Sequence, residues 1–365
     1  MKTIIPGFRG VLALLLVSGI CIVAVRSADS GRPAKRPFTK GALLEDLAQQ
    51  VILPAYSNFA ERAHALTAAS GTFATQSGAN SLKQAQSAWI DAMLAWRSAQ
   101  VFRSGPLTDQ NILSRIHFWP IRRQSVDNVL RATNSIDEPY LAQLGASAVG
   151  LCALEYLLFD LKGGDDAVLA AYQAASGERR KTYLRALTAD LARQAQRLLS
   201  AWAQPGGYAG TFIASGQDGI NLVVNDLLQA LEIATEERLR VALDMHQNKV
   251  LKPEFIQNAA SGISHRNIVH VLDGAHRLYA GSGGFGLVSQ LEQIQSPVAG
   301  RGEARFQEAL KATRSMDAPL EKTLLTNRTA ALRAYDACKK LEVLLKVEMA
   351  GALGVTLTFN STDGD

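Results

Sequence analysis

Glu155 is a carboxylate in apolar company. It lies in Leu144 to Asp160, LGASAVGLCALEYLLFD. At about 100° per residue, Leu151, Leu154 and Leu158 share one helix face, and Cys152, Glu155 and Phe159 share another. Cys152, three positions earlier, therefore sits one turn away from the carboxylate. A charged Glu among Leu, Ala, Cys and Phe is costly to bury alone. It must meet a cation, a metal, a hydrogen-bonding partner or a solvent-filled cleft. The plainest solution is an arginine on a neighbouring helix. Cys152 taken alone reads as a small core residue.

Other chemistry-bearing patterns are sparse. The chain has no H-E-x-x-H, G-x-S-x-G, P-loop or C-x-x-C. His265 and His276 share a helix face but stand roughly 16 Å apart, too far for one ion. His270, Asp273 and His276 are better spaced, and adjacent pairs could hold an ion between them. Their neighbours Arg266 and Arg277 fit a solvated face better. Cys152 and Cys338 could pair in an oxidising compartment, but nothing in the pattern brings their helices together.

These side chains need a scaffold, and composition points to helices. At 365 residues, the chain can build one large or two modest helical domains. Its apolar mass is mostly Ala and Leu, and Val, Ile, Thr and aromatic residues are not gathered into alternating runs. The formal charge of +5 includes Lys2, Arg9 and Arg26. Removing those three, with no acidic residue lost, leaves +2. That is no nucleic-acid footprint, and no aromatic-studded basic patch argues for one. Lys2 and Arg9 precede an apolar run from Val11 to Val25 that suits a signal-peptide core better than a membrane span. Cleavage is expected before Ala28, with residues 1–27 as signal peptide. Lipidation at Cys21 is the weaker option because Ile20 is bulky, and an uncleaved anchor is a third. Each places the body across a membrane. No later segment has 18 consecutive apolar residues.

Residues 28–41 read as a linker. Helical periodicity then starts at Ala42, where Pro54 kinks or splits the first helix. The next helix runs from Leu82 to about Phe102, capped by Ser81, with Trp89, Met93 and Trp96 on one face. Arg97 and Arg103 place positive charge at its C-terminal end. Phe118-Trp119-Pro120 is a rigid corner, since Pro120 pushes Trp119 out of helical geometry. A short helix from Ser125 to Ala132 leads to the central helix over 144–160. Further helices follow over 165–202, broken near Ser176-Gly177, then 222–245, 264–279, 305–314 and 327–353. Residues 247–262 read as a polar connection. The tail GVTLTFNSTDGD reads as extended and packed on the bundle. The turn at Pro205–Tyr208 is the preferred seam between a first half, 42–204, and a second half with tail, 205–365.

Gly150-Leu151-Cys152-Ala153-Leu154-Glu155 resembles the G-x-H-x-x-E signature of the imelysin family, peptidase-like, iron-regulated proteins of bacterial envelopes. Ala95-Trp96-Arg97, Phe118-Trp119-Pro120, the stretch SGISHRNI over 261–268 and the closing LGVTLTFNSTDGD extend the resemblance across 42–365. It implies an all-α fold of two helical-bundle halves, with the signature near their interface. Cys152 replaces the signature histidine, so the family's proposed His–Glu metal pair is not intact. A thiolate would favour zinc or copper(I) over ferric iron and would be prone to oxidation. His117, two residues before Trp119, could replace the missing imidazole in space.

The expected function is that of an exported envelope or periplasmic protein binding a metal ion (iron, zinc or copper) or a metal complex in iron uptake. Glu155, Cys152 and His117 are its candidate ligands. Trp96, Arg97, Arg103 and Trp119 are binding or supporting residues. An arginine near Glu155 would hold it ionised but leave no vacancy for metal. Other envelope iron-uptake proteins are candidate partners, with membrane contact only through the N-terminal segment. A non-catalytic scaffold for a protein or polysaccharide is the main alternative. A peptidase ranks below both, because one carboxylate and one cysteine do not make a water-activating metal and a base.

Overall fold

Helices account for all the regular structure among the described residues, as the Ala- and Leu-rich composition requires. The computed structural model describes residues 36–358. The expected signal peptide, its cleavage point, Cys21, most of the linker and the tail from Phe359 onward lie outside them. Eight helices frame the site: α1 (Leu53–Thr75), α2 (Ala79–Ala99), α3 (Gly150–Leu158), α4 (Gly177–Ala203), α5 (Gln217–Glu232), α6 (Ser264–Ala280), α7 (Val298–Arg314) and α8 (Arg328–Val343).

The chain enters helix at Lys40, where the Thr39 hydroxyl accepts the Ala42 N–H at 3.0 Å. Pro54 neither splits nor ends this helix. The turns just before it, Leu47–Ile52, widen to π geometry, and the Leu53 N–H reaches the Ala48 carbonyl. The helix therefore passes through the proline into α1. Ser81 is not the cap of α2. Gly78 holds that place, and the Ser81 hydroxyl, three residues on, accepts the Gly78 N–H at 3.3 Å.

α1 packs on α2 and α4, and α7 packs on α8; α2 joins the two groups by packing against α6, which also touches α5 and α7. The α2–α6 crossing is close. A Cβ on Gly274 would lie 2.8 Å from the Ser98 carbonyl oxygen, so only glycine fits there. α2 is consequently buried along much of its length. Trp89 and Trp96 are fully enclosed, with the Trp96 ring 5.0 Å from Phe59.

The central helix is shorter than its apolar run implies. Residues 146–148 form a single tight turn, and α3 begins only at Gly150. Gly150 has φ of +72°, and a Cβ there would stand 2.4 Å from the Ile116 carbonyl oxygen. Apolar periodicity registers burial; it does not register that backbone approach. The approach sets the His117–Trp119 corner against the helix that carries Cys152 and Glu155. At the far end, the tail is extended through Thr358, whose N–H donates to Asn225 Oδ1 at 2.8 Å.

Candidate functional site

Glu155 is buried on α3, and its charge is met by hydrogen bonds rather than by a direct ion pair. Oε2 accepts from Asn258 Nδ2 at 2.7 Å; Oε1 accepts from the Ser261 hydroxyl at 2.6 Å and the Ser261 N–H at 3.2 Å. Burial pushes the carboxyl above its ordinary range, while these donors and the charge of Arg97 pull it down. Asn258 is itself buried, and its backbone is left-handed at φ +62°, a conformation that asparagine tolerates better than most residues. Its Oδ1 accepts from Asn267 Nδ2 at 2.7 Å and from Arg97 Nη2 at 3.3 Å. One asparagine thus couples the expected carboxylate to the expected arginine.

Arg97 is fully buried near the C-terminal end of α2. Its Nη2 stands 3.0 Å from His117 Nε2, which also receives the Gln257 amide nitrogen at 3.0 Å. A guanidinium can only donate, so Nε2 must be the acceptor and the imidazole neutral, with its proton on Nδ1. Burial first, and then the charges of Arg97, Arg238 and Arg103, hold the His117 pKa well below its ordinary value. Cys152 is buried and unpaired, as is Cys338. Burial and the neighbouring Glu155 push the Cys152 thiol up to about 12, against the opposing pull of Arg97 and the Phe118 N–H. It is a neutral thiol near pH 7.

Cys152, Glu155 and His117 therefore all surround Arg97, yet they do not form a metal donor set. The imidazole lone pair and both carboxylate oxygens already accept hydrogen bonds, and the thiol is protonated. Among the described residues, no three His, Cys, Asp or Glu side chains gather closely enough to hold a metal ion. His270, Asp273 and His276 also separate: His276 faces Glu303 at 2.8 Å, and Asp273 faces Arg314 at 2.7 Å. Trp96 points into the core, whereas Arg97, Arg103, His117 and Trp119 line a common cavity of about 380 Å³.

A third cationic wall of that cavity is Arg238, which the sequence did not single out. It follows α5 on a wide π-helical stretch, Ile233–Arg240. Such stretches break the 3.6-residue register and re-aim side chains, often at functional sites. Among the described residues, no carboxylate stands within 4.0 Å of the guanidinium of Arg97, Arg103 or Arg238. Arg97 Nε and Arg238 Nη1 are buried without any hydrogen-bond partner. The nearby Asp226 does not supply one. Its Oδ2 is taken by the Arg103 and Ser104 backbone N–H groups at 2.8 and 2.7 Å. Burial lowers all three arginines, Arg238 to about 10; a guanidinium is nonetheless the side chain that holds its charge in proteins.

Gln257, Asn258 and Ser261 were hidden in the stretch read as a polar connection. The only signal for them was the adjoining SGISHRNI, where Ser261 opens a match to the family pattern.

A family model described as Imelysin (Peptidase_M75) matches residues 52–347. No curated protein matches the chain. Among solved structures, a putative iron-regulated protein A precursor from Parabacteroides distasonis ATCC 8503 aligns with a TM-score of 0.75 at 16% identity, covering 88% of this chain and 97% of that one. An imelysin-like protein from Psychrobacter arcticum 273-4 aligns with a TM-score of 0.71 at 18% identity, covering 89% and 100%. At such identities the likeness establishes a shared fold.

Proposed function

The chain belongs to the imelysin family, and from that premise we propose that it is an exported binding protein of iron uptake that holds its metal as an anionic complex. The observation that carries the reading is the cavity of about 380 Å³ walled by three guanidiniums, none of them within ion-pair distance of a carboxylate and two of them with a buried nitrogen left without a hydrogen-bond partner. Its size falls within the usual range for small-molecule sites. A bare cation would meet like charge there. A metal already wrapped in acidic chelating groups would present the opposite sign.

Glu155 has a different task in this reading. Engaged by Asn258 and Ser261, it fixes the loop that carries Gln257 and, through Asn258, helps to orient Arg97. Binding rather than hydrolysis is the activity that these contacts support, since a carboxylate held by three donors is poorly placed to serve as a general base. Export rests on the Lys2 and Arg9 start and the apolar run from Val11 to Val25. Among the described residues, no helix is long and apolar enough to cross a membrane. The description of the Parabacteroides neighbour as iron-regulated agrees with a place in iron handling.

Equilibrium binding of radioactive iron tests the reading. Iron(II) as the aqua ion and iron(III) as its citrate complex would each be offered to the full chain. Retention of the complex and not of the aqua ion is expected. Tight binding of the aqua ion, abolished by Glu155→Ala, would overturn it in favour of a direct metal site.

A further inference from the structure

We propose that Arg97, Arg103 and Arg238 form a receptor for a small hydroxy-oligocarboxylate, bound through its carboxylates whether or not a metal accompanies it. The proposal deepens the reading above and rests on the same cavity, but it concerns the organic anion itself.

Fully enclosing a guanidinium without a carboxylate is unfavourable unless its donors are used. Arg97 is fully buried, yet Nε has no partner, and its other contacts are neutral groups at 3.0 to 3.4 Å. Arg238 leaves a buried Nη1 equally unused. Two separate segments of the chain, the end of α2 with the residues just after it and the π-helical stretch after α5, deliver these three cations to one cavity. Arg115, by contrast, is also part-buried and meets an acid, Asp190, at 2.9 Å. The cavity therefore carries positive charge in search of an anion, in a setting where planar forks pair best with carboxylates or phosphates.

The rest of the lining chooses between those classes. Phe118, Trp119, Val241, Met245 and Ile256 supply apolar wall between the cationic groups, and Gln100 and Gln257 supply neutral hydrogen-bonding ends. A lone inorganic oxyanion would engage a guanidinium or two and leave that wall bare. A short carbon frame with several carboxylates reaches separated cations while its methylenes meet the wall. Its hydroxyls suit the amides. Glu237, exposed at the edge of the lining, is the one acid present, and water screens it.

The test is isothermal titration of the full chain with citrate, tricarballylate, inorganic phosphate, acetate and glycerol, all without metal, and then with iron(III) citrate. Micromolar binding of citrate is expected, with tricarballylate weaker and no measurable binding of acetate or glycerol. Each charge-assisted contact is worth about 1.5–3 kcal/mol. Arg238→Gln and Arg103→Gln should therefore each weaken citrate about 10- to 150-fold. Both are half-buried and outside the Glu155 network, so a folding failure of an Arg97 variant would not blunt the test. Absence of citrate and tricarballylate binding at millimolar concentrations would overturn the proposal. So would citrate affinity unchanged in both variants, or phosphate binding more tightly than citrate. Free citrate binding without retention of its iron complex would leave the receptor standing and sink the iron-uptake reading. Retention of the iron complex unaffected by either substitution would do the reverse.

Discussion

Two arginines separated by eighteen residues show how differently one side chain can be used. Arg115 is closed. Its Nη atoms donate to the Leu141 and Leu144 carbonyls at 3.2 Å and to Asp190 at 2.9 Å, and Asp190 is held in turn by Arg193 and Gln194. Arg97 is open: it is more deeply buried, holds only neutral partners and keeps one donor unused. A closed arginine ties α4 to the turn before α3. An open one, joined by Arg103 and Arg238, holds charge in reserve at a cavity wall. The difference teaches that burial of a cation does not by itself mark structure or function; the completeness of its partners does.

Breaking the closed side should cost the most. Arg115→Met would leave the buried Asp190 Oδ2 and two carbonyls without their donor, although Arg193 and Gln194 still hold Oδ1, at a cost of about 3 kcal/mol in denaturant unfolding. Anion binding should remain, because none of those groups lines the cavity. A smaller loss is expected from Glu155→Gln. The amide must present one N–H₂ to a site where all three neighbours donate, costing about 1–3 kcal/mol. Because Asn258 links Glu155 to Arg97, this variant should also weaken anion binding, whereas Arg115→Met should not. Equal effects of the two on binding would erase the distinction between the regions.

The pH dependence sharpens the comparison further, with a more modest effect. His117 is held neutral by burial and by three arginines, so its folded pKa lies below the unfolded one. The unfolded chain then binds more protons, and stability falls as pH drops below about 6.5, the ordinary imidazole value. His117→Gln should flatten that fall, as read from melting temperature across mildly acidic pH. Glu155 contributes with the opposite sign. Its carboxyl is raised, so its share of stability is complete below the ordinary carboxylate range and is lost as pH climbs through the raised value. An unchanged pH profile in the His117 variant would mean that the imidazole is not kept neutral by its burial among the open arginines.

Much of the fold was legible because helix-period burial needs only local sequence: α4, α6 and the break at Ser176-Gly177 fall where apolar spacing puts them. Glu155, Arg97 and His117 were legible as candidates because of their types and settings. Their partners were not. Asn258 meets Glu155 across 103 positions of chain, and nothing in a polar stretch announces which amide will turn inward. Arg238 escaped because the π-helical register around it does not follow the helical period on which amphipathic reading depends. The metal expectation for Glu155, Cys152 and His117 placed the right residues near one another. It could not anticipate that the acceptors among them would be satisfied by amides, a hydroxyl and a guanidinium. The close packing of α2 on α6 was likewise hidden, since Gly274 looks like any helical glycine until Ser98 lies against it.

The most direct test of an arginine cluster held open for an anion is a thermal melt of the parent and Arg238→Met, each with and without citrate. Replacing an unpaired, partly buried cation with an apolar side chain should be neutral or raise stability by about 1 kcal/mol. Saturating anion should raise the parent, by about 2.7 kcal/mol at a hundredfold excess over Kd, and the variant far less. The account predicts a variant that melts at or above the parent in plain buffer and gains little from citrate. A variant that melts well below the parent, as Arg115→Met should, and still responds fully to citrate would contradict it.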